Sequence, residues 1–101
     1  MIFLTQIIYL HPGEEDVLDE FESIALPAMA KYKGDLLMRL RPSVEQFIEG
    51  SMLPPYEVHL VSFPGENELK AFLMDEERQK YLHLKDKAIQ SSLIYKGVPF
   101  P

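Results

Sequence analysis

The sequence predicts an α+β fold of the ferredoxin-like type, with the element order βαββαβ. Four segments rich in β-branched and aromatic residues alternate with two helical patterns, and Pro-Gly pairs follow the first and the third of these strand segments. Right-handed crossovers in the two βαβ halves then place both helices on one face of a four-stranded antiparallel sheet.

The first half begins with an apolar strand, Ile2 to Leu10, which ends at Pro12-Gly13. Both faces of this strand are apolar, so we expect it to be covered on both sides. A helix follows, because apolar residues recur at helical spacing from Val17 to Tyr32. Pro27 is expected to bend this helix or to remove one of its hydrogen bonds, and Gly34 is expected to end it.

The remaining strands have the same signature. Leu36 to Arg41 is predicted as the second strand, Tyr56 to Phe63 as the third and Ser92 to Val98 as the fourth. Residues 42–55, between the second and third strands, are expected to be irregular apart from a short amphipathic piece from Val44 to Ile48.

The second helical pattern begins after Pro64-Gly65, with Leu69, Phe72 and Leu73 on its inner side. Asp75 is a typical N-cap residue and is expected to begin a further helical stretch that reaches Ile89.

Length and composition narrow the function classes. A chain of 101 residues is expected to form one domain over residues 1–101. Its net charge of −6 disfavours nucleic acid and anionic membranes as partners. The absence of cysteine excludes disulfides and thiolate chemistry and favours a cytoplasmic protein. The apolar start of the chain has no preceding Lys or Arg and no cleavage site, so it reads as a strand rather than a secretion signal.

The apolar pattern of the sheet predicts a homodimer. In the third strand Tyr56, Val58 and Leu60 oppose Val61 and Phe63, so both faces of the sheet are apolar while the helices cover only one. Soluble monomers rarely expose apolar patches of several hundred Å². A second copy that buries about 800 Å² per partner would cover this face, so we expect the sheets of two protomers to pack against each other.

Short motifs along almost the whole chain, in a shared order, resemble a family of small bacterial proteins of unknown function. That family belongs to the dimeric α/β-barrel superfamily, which also contains cofactor-free antibiotic-biosynthesis-type monooxygenases, muconolactone isomerases and stress-responsive barrel proteins. The motifs are Ala25-Leu26-Pro27, Lys31-Tyr32-Lys33-Gly34, Leu36-Leu37-Met38-Arg39, Ile48-Glu49-Gly50, Val58 to Pro64 and Tyr95-Lys96-Gly97-Val98.

The resemblance implies the fold and the dimer of an α/β barrel, and no cofactor is predicted. Three positions depart from the family pattern. A glycine is usual where this chain has Lys33, an acidic residue where it has Ser62, and a serine where it has Gly65.

Four polar residues on the predicted strands are candidates for chemistry. Glu57 and His59 share one face of the third strand, and Arg39 and Arg41 share one face of its neighbour. His59 beside Glu57 is a candidate general base, and Arg39 is placed to hold an anionic oxygen. The alternative is a structural ladder of cross-strand ion pairs, which is commoner in proteins.

Four residues are candidates for ligand binding: Tyr9, Tyr56, Tyr95 and Arg41. Tyrosine hydroxyls on strands can orient a substrate. The alternative for the tyrosines is a place in the core or interface.

The other histidines, His11 and His83, are far from each other in sequence and form no spacing typical of metal ligands, so no metal site is predicted.

Three functions remain open at this point. The first is a dimeric barrel that binds a small, partly apolar molecule between sheet and helices. The second is a cofactor-independent monooxygenase or isomerase that uses a histidine base. The third is a ligand-sensing regulatory module. An ionisable residue with a shifted pKa in a closed pocket would favour the enzyme, and an apolar pocket without such a residue would favour the binding protein. A ligand at the dimer interface would favour the sensor.

Overall fold

The computed structural model describes all residues 1–101 and contains one four-stranded sheet. The strand order is β2-β3-β1-β4, and every neighbouring pair is antiparallel. The strands are β1 (Ile2–Leu10), β2 (Asp35–Leu40), β3 (Glu57–Phe63) and β4 (Ile89–Gly97). This arrangement confirms the predicted ferredoxin-like fold class.

The helices pack on one face of this sheet. None of them has both the length and the apolar character needed to cross a membrane. The α-helices are α1 (Glu15–Ala28), α2 (Glu66–Leu73), α3 (Glu76–Lys80) and α4 (Leu82–Ala88), and two short 3-10 helices span Met29–Tyr32 and Val44–Gln46.

Helix α1 begins with Glu15 and Asp16, whose charges suit the positive end of the helix dipole. Leu18, Phe21 and Ala25 recur on its inner side and are all buried. Pro27 lies in the last turn, after which the chain tightens into a 3-10 helix. The change from α-helix to 3-10 helix thus comes two residues after this proline.

The residue that ends this helical region is Lys33, which corrects the prediction for Gly34. Lys33 has a φ of 61° and takes the left-handed conformation that glycine usually supplies. Gly34 is required for space instead, because a Cβ on it would lie 2.6 Å from Cε1 of Phe63. The close approach of strand β3 therefore explains this glycine.

The second helical region is interrupted where a continuous stretch to Ile89 was expected. Asp75 does cap α3, as predicted, by accepting a hydrogen bond of 2.9 Å from the backbone N–H of Arg78. The chain then breaks at Tyr81, between α3 and α4. Strand β4 begins at Ile89 rather than Ser92, because Ile89 pairs with Leu10 and packs against the core.

Two apolar clusters fill the space between the sheet and the helices. The larger one contains Phe63, which is 1% exposed, with residues from α1, α2 and the first 3-10 helix around it. Burying one such side chain contributes about 1.5 to 3 kcal/mol. The smaller cluster contains Ile8, Leu18 and Ala88. The two clusters hold α1, α2 and α4 on the same face of the sheet.

The opposite face of the sheet, which no helix covers, carries apolar side chains that remain partly exposed. Met38, Leu93 and Tyr95 are 45%, 38% and 59% exposed. We call this surface the open face. Its apolar character matches the pattern expected from the sequence.

Candidate functional site

On the face of strand β3 that the helices cover lie two polar side chains followed by two apolar ones. Glu57, His59, Val61 and Phe63 alternate along it, and all four are buried. Arg39 lies opposite His59 in the β2–β3 ladder. The register therefore brings the charged ends of two neighbouring strands together under α1.

Six ionisable side chains meet at this point, three of them acidic and three basic. With His59 protonated, their charges sum to zero. We call these residues the salt-bridge cluster: Asp19, Glu22, Arg39, Arg41, Glu57 and His59.

Glu57 is the centre of the cluster and is fully buried. Its Oε2 lies 2.5 Å from His59 Nε2 and 3.2 Å from Arg39 Nε, and its Oε1 lies 2.6 Å from Arg41 Nε. Burial alone would raise the pKa of Glu57, but the hydrogen bonds that it accepts hold this pKa well below its usual range. Glu57 is therefore ionised at neutral pH.

Glu22 approaches the same histidine from α1. Its Oε1 lies 3.3 Å from His59 Nε2, and its Oε2 lies 2.6 Å from Arg39 Nη2. The Arg39 guanidinium is not aligned to donate a hydrogen bond to Oε2. This oxygen therefore has a charged partner but no hydrogen bond. Burial is the main reason that the pKa of Glu22 is raised.

The salt-bridge cluster also changes the ionisation of His59. Burial opposes its charged form, but the hydrogen bonds to Glu22 and Glu57 outweigh burial and raise the pKa of His59 to about 9. His59 is therefore an imidazolium at neutral pH. A protonated histidine can donate a proton but cannot accept one, which argues against its predicted role as a general base.

Glu22, Glu57 and His59 offer three ligand atoms that lie within 4.8 Å of one another, which is close enough for one metal ion. Arg39 and Arg41 contact the same carboxylates, and the imidazolium has no free lone pair. A divalent cation would have to displace these three positive charges. The donor set therefore fits a salt-bridge network better than a metal centre.

A cavity of about 160 Å³ lies beside the cluster, between the sheet and the helices. Of its 18 lining residues 13 are hydrophobic, and Glu22 and His59 form part of its wall. Leu73 and Ile94 also line it and remain 40% and 58% exposed, so they mark its rim. The cavity thus combines an apolar interior with a polar wall that belongs to the salt-bridge cluster.

No protein-family model matches this sequence, and no curated protein matches it significantly. Solved structures do match over nearly the whole chain. A Rhodopseudomonas palustris protein of unknown function has a TM-score of 0.84 at 11% identity, covering 99% of this chain and 82% of its own. An uncharacterised NIPSNAP domain protein from Burkholderia xenovorans has a TM-score of 0.71 at 12% identity, covering 99% and 95%.

A NIPSNAP family protein of unknown function from Agrobacterium tumefaciens is also similar, with a TM-score of 0.72 at 14% identity, covering 98% of this chain and 87% of its own. At these identities the likeness shows the fold alone. The neighbours are proteins of unknown function, as the sequence resemblance implied. Placement of the chain in the dimeric α/β-barrel superfamily stays a prediction.

The structure places the sequence-predicted residues in two groups. Arg39, Arg41, Glu57 and His59 converge as expected from the strand register, although only His59 among them reaches the cavity. Tyr56 lies beside the cluster, with the Arg41 guanidinium 4.9 Å from its ring centroid. Their roles in catalysis or ligand binding stay predictions.

The other two tyrosines lie away from the cavity. Tyr9 donates a hydrogen bond of 2.8 Å to the backbone oxygen of Leu53. Tyr95 lies on the open face, since its neighbour across the ladder is Thr5. Their predicted part in ligand binding therefore depends on what covers the open face.

Sequence reasoning missed Asp19 and Glu22, both on α1. The signal for Glu22 was present, because it lies four residues after Leu18 and three before Ala25, on the apolar side of the helix. A carboxylate on an apolar stripe needs a buried cationic partner. His59 and Arg39 are those partners.

Proposed function

We propose that this protein is a binding protein that holds a small, largely apolar molecule in the cavity between its sheet and its helices. The observation that carries the proposal is the cavity itself, whose volume of about 160 Å³ is comparable to the roughly 150 Å³ of an apolar cavity that accepts benzene. Its deepest lining side chains, Ile8, Met29 and Phe63, are almost fully buried, so an apolar occupant would be shielded from water.

Glu22 and His59 have shifted pKa values at the cavity wall, which is the feature expected of an enzyme. The contacts that these two groups make nevertheless favour binding over catalysis. The Nε2 of His59 lies within 3.3 Å of carboxylate oxygens of both Glu22 and Glu57, and Glu57 is held by two arginines. A catalytic acid or base needs a proton-transfer partner in the substrate. In this cluster the charged atoms are committed to one another, which is the ion-pair ladder that the sequence left open as the alternative.

A thermal-shift screen with a cavity-filled variant tests this proposal. A small aromatic or aliphatic compound at about ten times its Kd should stabilise the protein by about 1.4 kcal/mol, or about 6 to 11 °C in Tm. Ala25→Leu fills the buried cavity wall and should abolish the shift, whereas Ala71→Leu adds the same atoms at an exposed position and should leave it unchanged. Equal shifts in both variants would place the ligand outside the cavity.

We propose in addition that two copies pack through their open faces. The molecule measures 39 × 37 × 16 Å, so a standard interface of about 800 Å² per partner fits on one broad side. Only 16 of the 101 residues are buried in one copy. This small number is consistent with an apolar sheet face that a second copy would bury. The helices cover one side only, and a second copy offers an identical apolar sheet to the other.

Molar mass in solution tests the dimer. One chain is 11.7 kDa, so two copies give twice that value, 23.4 kDa. Met38→Glu puts a charge on the open face and should shift the mass toward the monomer, while Met74→Glu makes the same change at an exposed position in the helical layer and should not. A wild-type monomer at micromolar concentration would refute the dimer but would leave the binding proposal in place.

A further inference from the structure

Two cationic residues line the cavity without a carboxylate in ion-pair contact. They are Arg78 and Lys85, and both are partly buried. Neither has a carboxylate oxygen within 4.0 Å, although the chain carries 16 acidic residues. Both are among the cavity-lining residues. The lining of one apolar cavity thus includes two cationic residues that are in ion-pair contact with no carboxylate.

Most of the hydrogen-bonding capacity of these two groups is unused. The Nζ of Lys85 has three N–H donors and makes no hydrogen bond within the chain. The guanidinium of Arg78 has five and uses one, from Nη1 to the backbone oxygen of Leu73 at 3.2 Å. Its Cζ also lies 5.3 Å from the ring centroid of Phe72, another residue that lines the cavity.

Asp75, the carboxylate whose charge acts on Arg78, is already engaged in other hydrogen bonds. Asp75 accepts hydrogen bonds from the hydroxyl of Tyr32 at 2.7 Å and from the backbone N–H of Arg78 at 2.9 Å. Burial lowers the pKa of Lys85 and the charge of Arg78 lowers it further, while the charge of Asp86 opposes them only in part. Two like charges near one cavity destabilise each other, and an anion bound between them would reverse that effect.

We propose that the cavity is specific for a small organic carboxylate, with its apolar body among the buried side chains and its carboxylate between Lys85 and Arg78. This inference rests on the proposed binding function and names the chemical class of its ligand. The volume of about 160 Å³ limits the apolar body to one aromatic ring or a short alkyl chain. A guanidinium matches the planar, two-oxygen geometry of a carboxylate, and an ammonium adds a point charge.

Calorimetric titration of matched acid and amide pairs tests the assignment. The probes are 3-phenylpropanoate against 3-phenylpropanamide and hexanoate against hexanamide, each titrated into the full chain. The wild type should bind each acid at least about tenfold more tightly than its amide, because hydrogen bonds to charged groups are stronger than neutral ones. Lys85→Met should remove about tenfold of the acid affinity and leave amide affinity unchanged.

The control is Lys87→Met, which deletes an exposed lysine of the same helix and should leave both affinities unchanged. Equal affinity for acid and amide, with both abolished by Ala25→Leu, would overturn the carboxylate assignment and leave the binding function standing. An acid that binds equally well to Ala25→Leu and to Lys87→Met but not to Lys85→Met would indicate a surface ion pair and would overturn both. Absence of binding by all four probes would count against both as well.

Discussion

Glu57 and His59, two residues apart on β3, are joined by a 2.5 Å contact between Oε2 and Nε2 inside the protein. Strand alternation places the two side chains on the same face, and both are at most 5% exposed. A buried carboxylate and a buried imidazole are each costly alone, so each fixes the ionisation of the other. The pairing makes the stability of the fold depend on pH.

The raised pKa of His59 predicts a loss of stability in alkaline solution. Its folded-state pKa of about 9 lies above the reference value of 6.5, so its stabilising contribution is complete below about pH 6.5 and is lost as the pH passes through 9. The free energy of unfolding should fall by about 3 kcal/mol between pH 6.5 and 10. Urea denaturation at a series of pH values measures this change.

Two histidine variants serve as the comparison for that experiment. His59→Gln should remove most of the alkaline decline, whereas His83→Gln, at an exposed position, should keep it. An equally steep decline in His59→Gln would mean that other groups cause the loss.

Glu57→Gln is expected to be strongly destabilising at neutral pH. The change keeps the shape of the side chain but leaves Arg39, Arg41 and His59 without their shared anion. Removing one partner of a buried ion pair costs about 3 to 5 kcal/mol. Chemical denaturation at pH 7 should show this loss. Glu45→Gln, at an exposed position, should change stability by less than about 0.5 kcal/mol.

The pH dependence of that difference provides a second check. The pKa of Glu57 is lowered in the folded state, so its contribution is present above the unfolded pKa and is lost as the solution becomes more acidic. Wild type and Glu57→Gln should therefore converge in stability toward low pH. A constant difference down to pH 3 would contradict the assigned ionisation.

The sheet could be predicted from the sequence, because the alternation of side chains along each strand shows which residues share a face. The alternation of Glu57 and His59, together with that of Arg39 and Arg41, was enough to predict that these residues meet. The break at Tyr81 was not predictable in the same way. Helical periodicity continues across it, and only packing against α1 and β4 decides where the chain turns.

A pocket between sheet and helices was expected from the sequence, but its two basic lining residues were not. Arg78 and Lys85 are seven residues apart in a pattern that reads as a solvated helix face. Their arrangement at one cavity depends on the break between α3 and α4. Tertiary packing decides which charged side chains become partly buried, and the spacing of residues in the sequence does not show it.

Lys33 and Gly34 are neighbours that should respond in opposite directions to substitution. Lys33 has a φ of 61°, a conformation that costs a residue with a side chain about 1 to 2 kcal/mol, so Lys33→Gly should stabilise the protein by about 0.5 to 1 kcal/mol after the added chain entropy. Gly34→Ala should destabilise it by about 1 to 3 kcal/mol, because the new Cβ meets the Phe63 ring at 2.6 Å. Denaturation midpoints of the two variants measure both effects, and a destabilised Lys33→Gly would contradict the conformational argument.

Lys85→Met should stabilise the ligand-free protein even though it weakens carboxylate binding. Burial and the charge of Arg78 disfavour the charged form of Lys85 more than the charge of Asp86 favours it. Methionine removes this unfavourable interaction while keeping the packing of the stem. The gain should be about 0.5 to 1 kcal/mol, read as a higher Tm without ligand. Lys87→Met, on the exposed side of the same helix, should leave Tm unchanged. A lower Tm for Lys85→Met would mean that the lysine has a stabilising partner in the folded state, and its charge would then no longer be free to hold an anion.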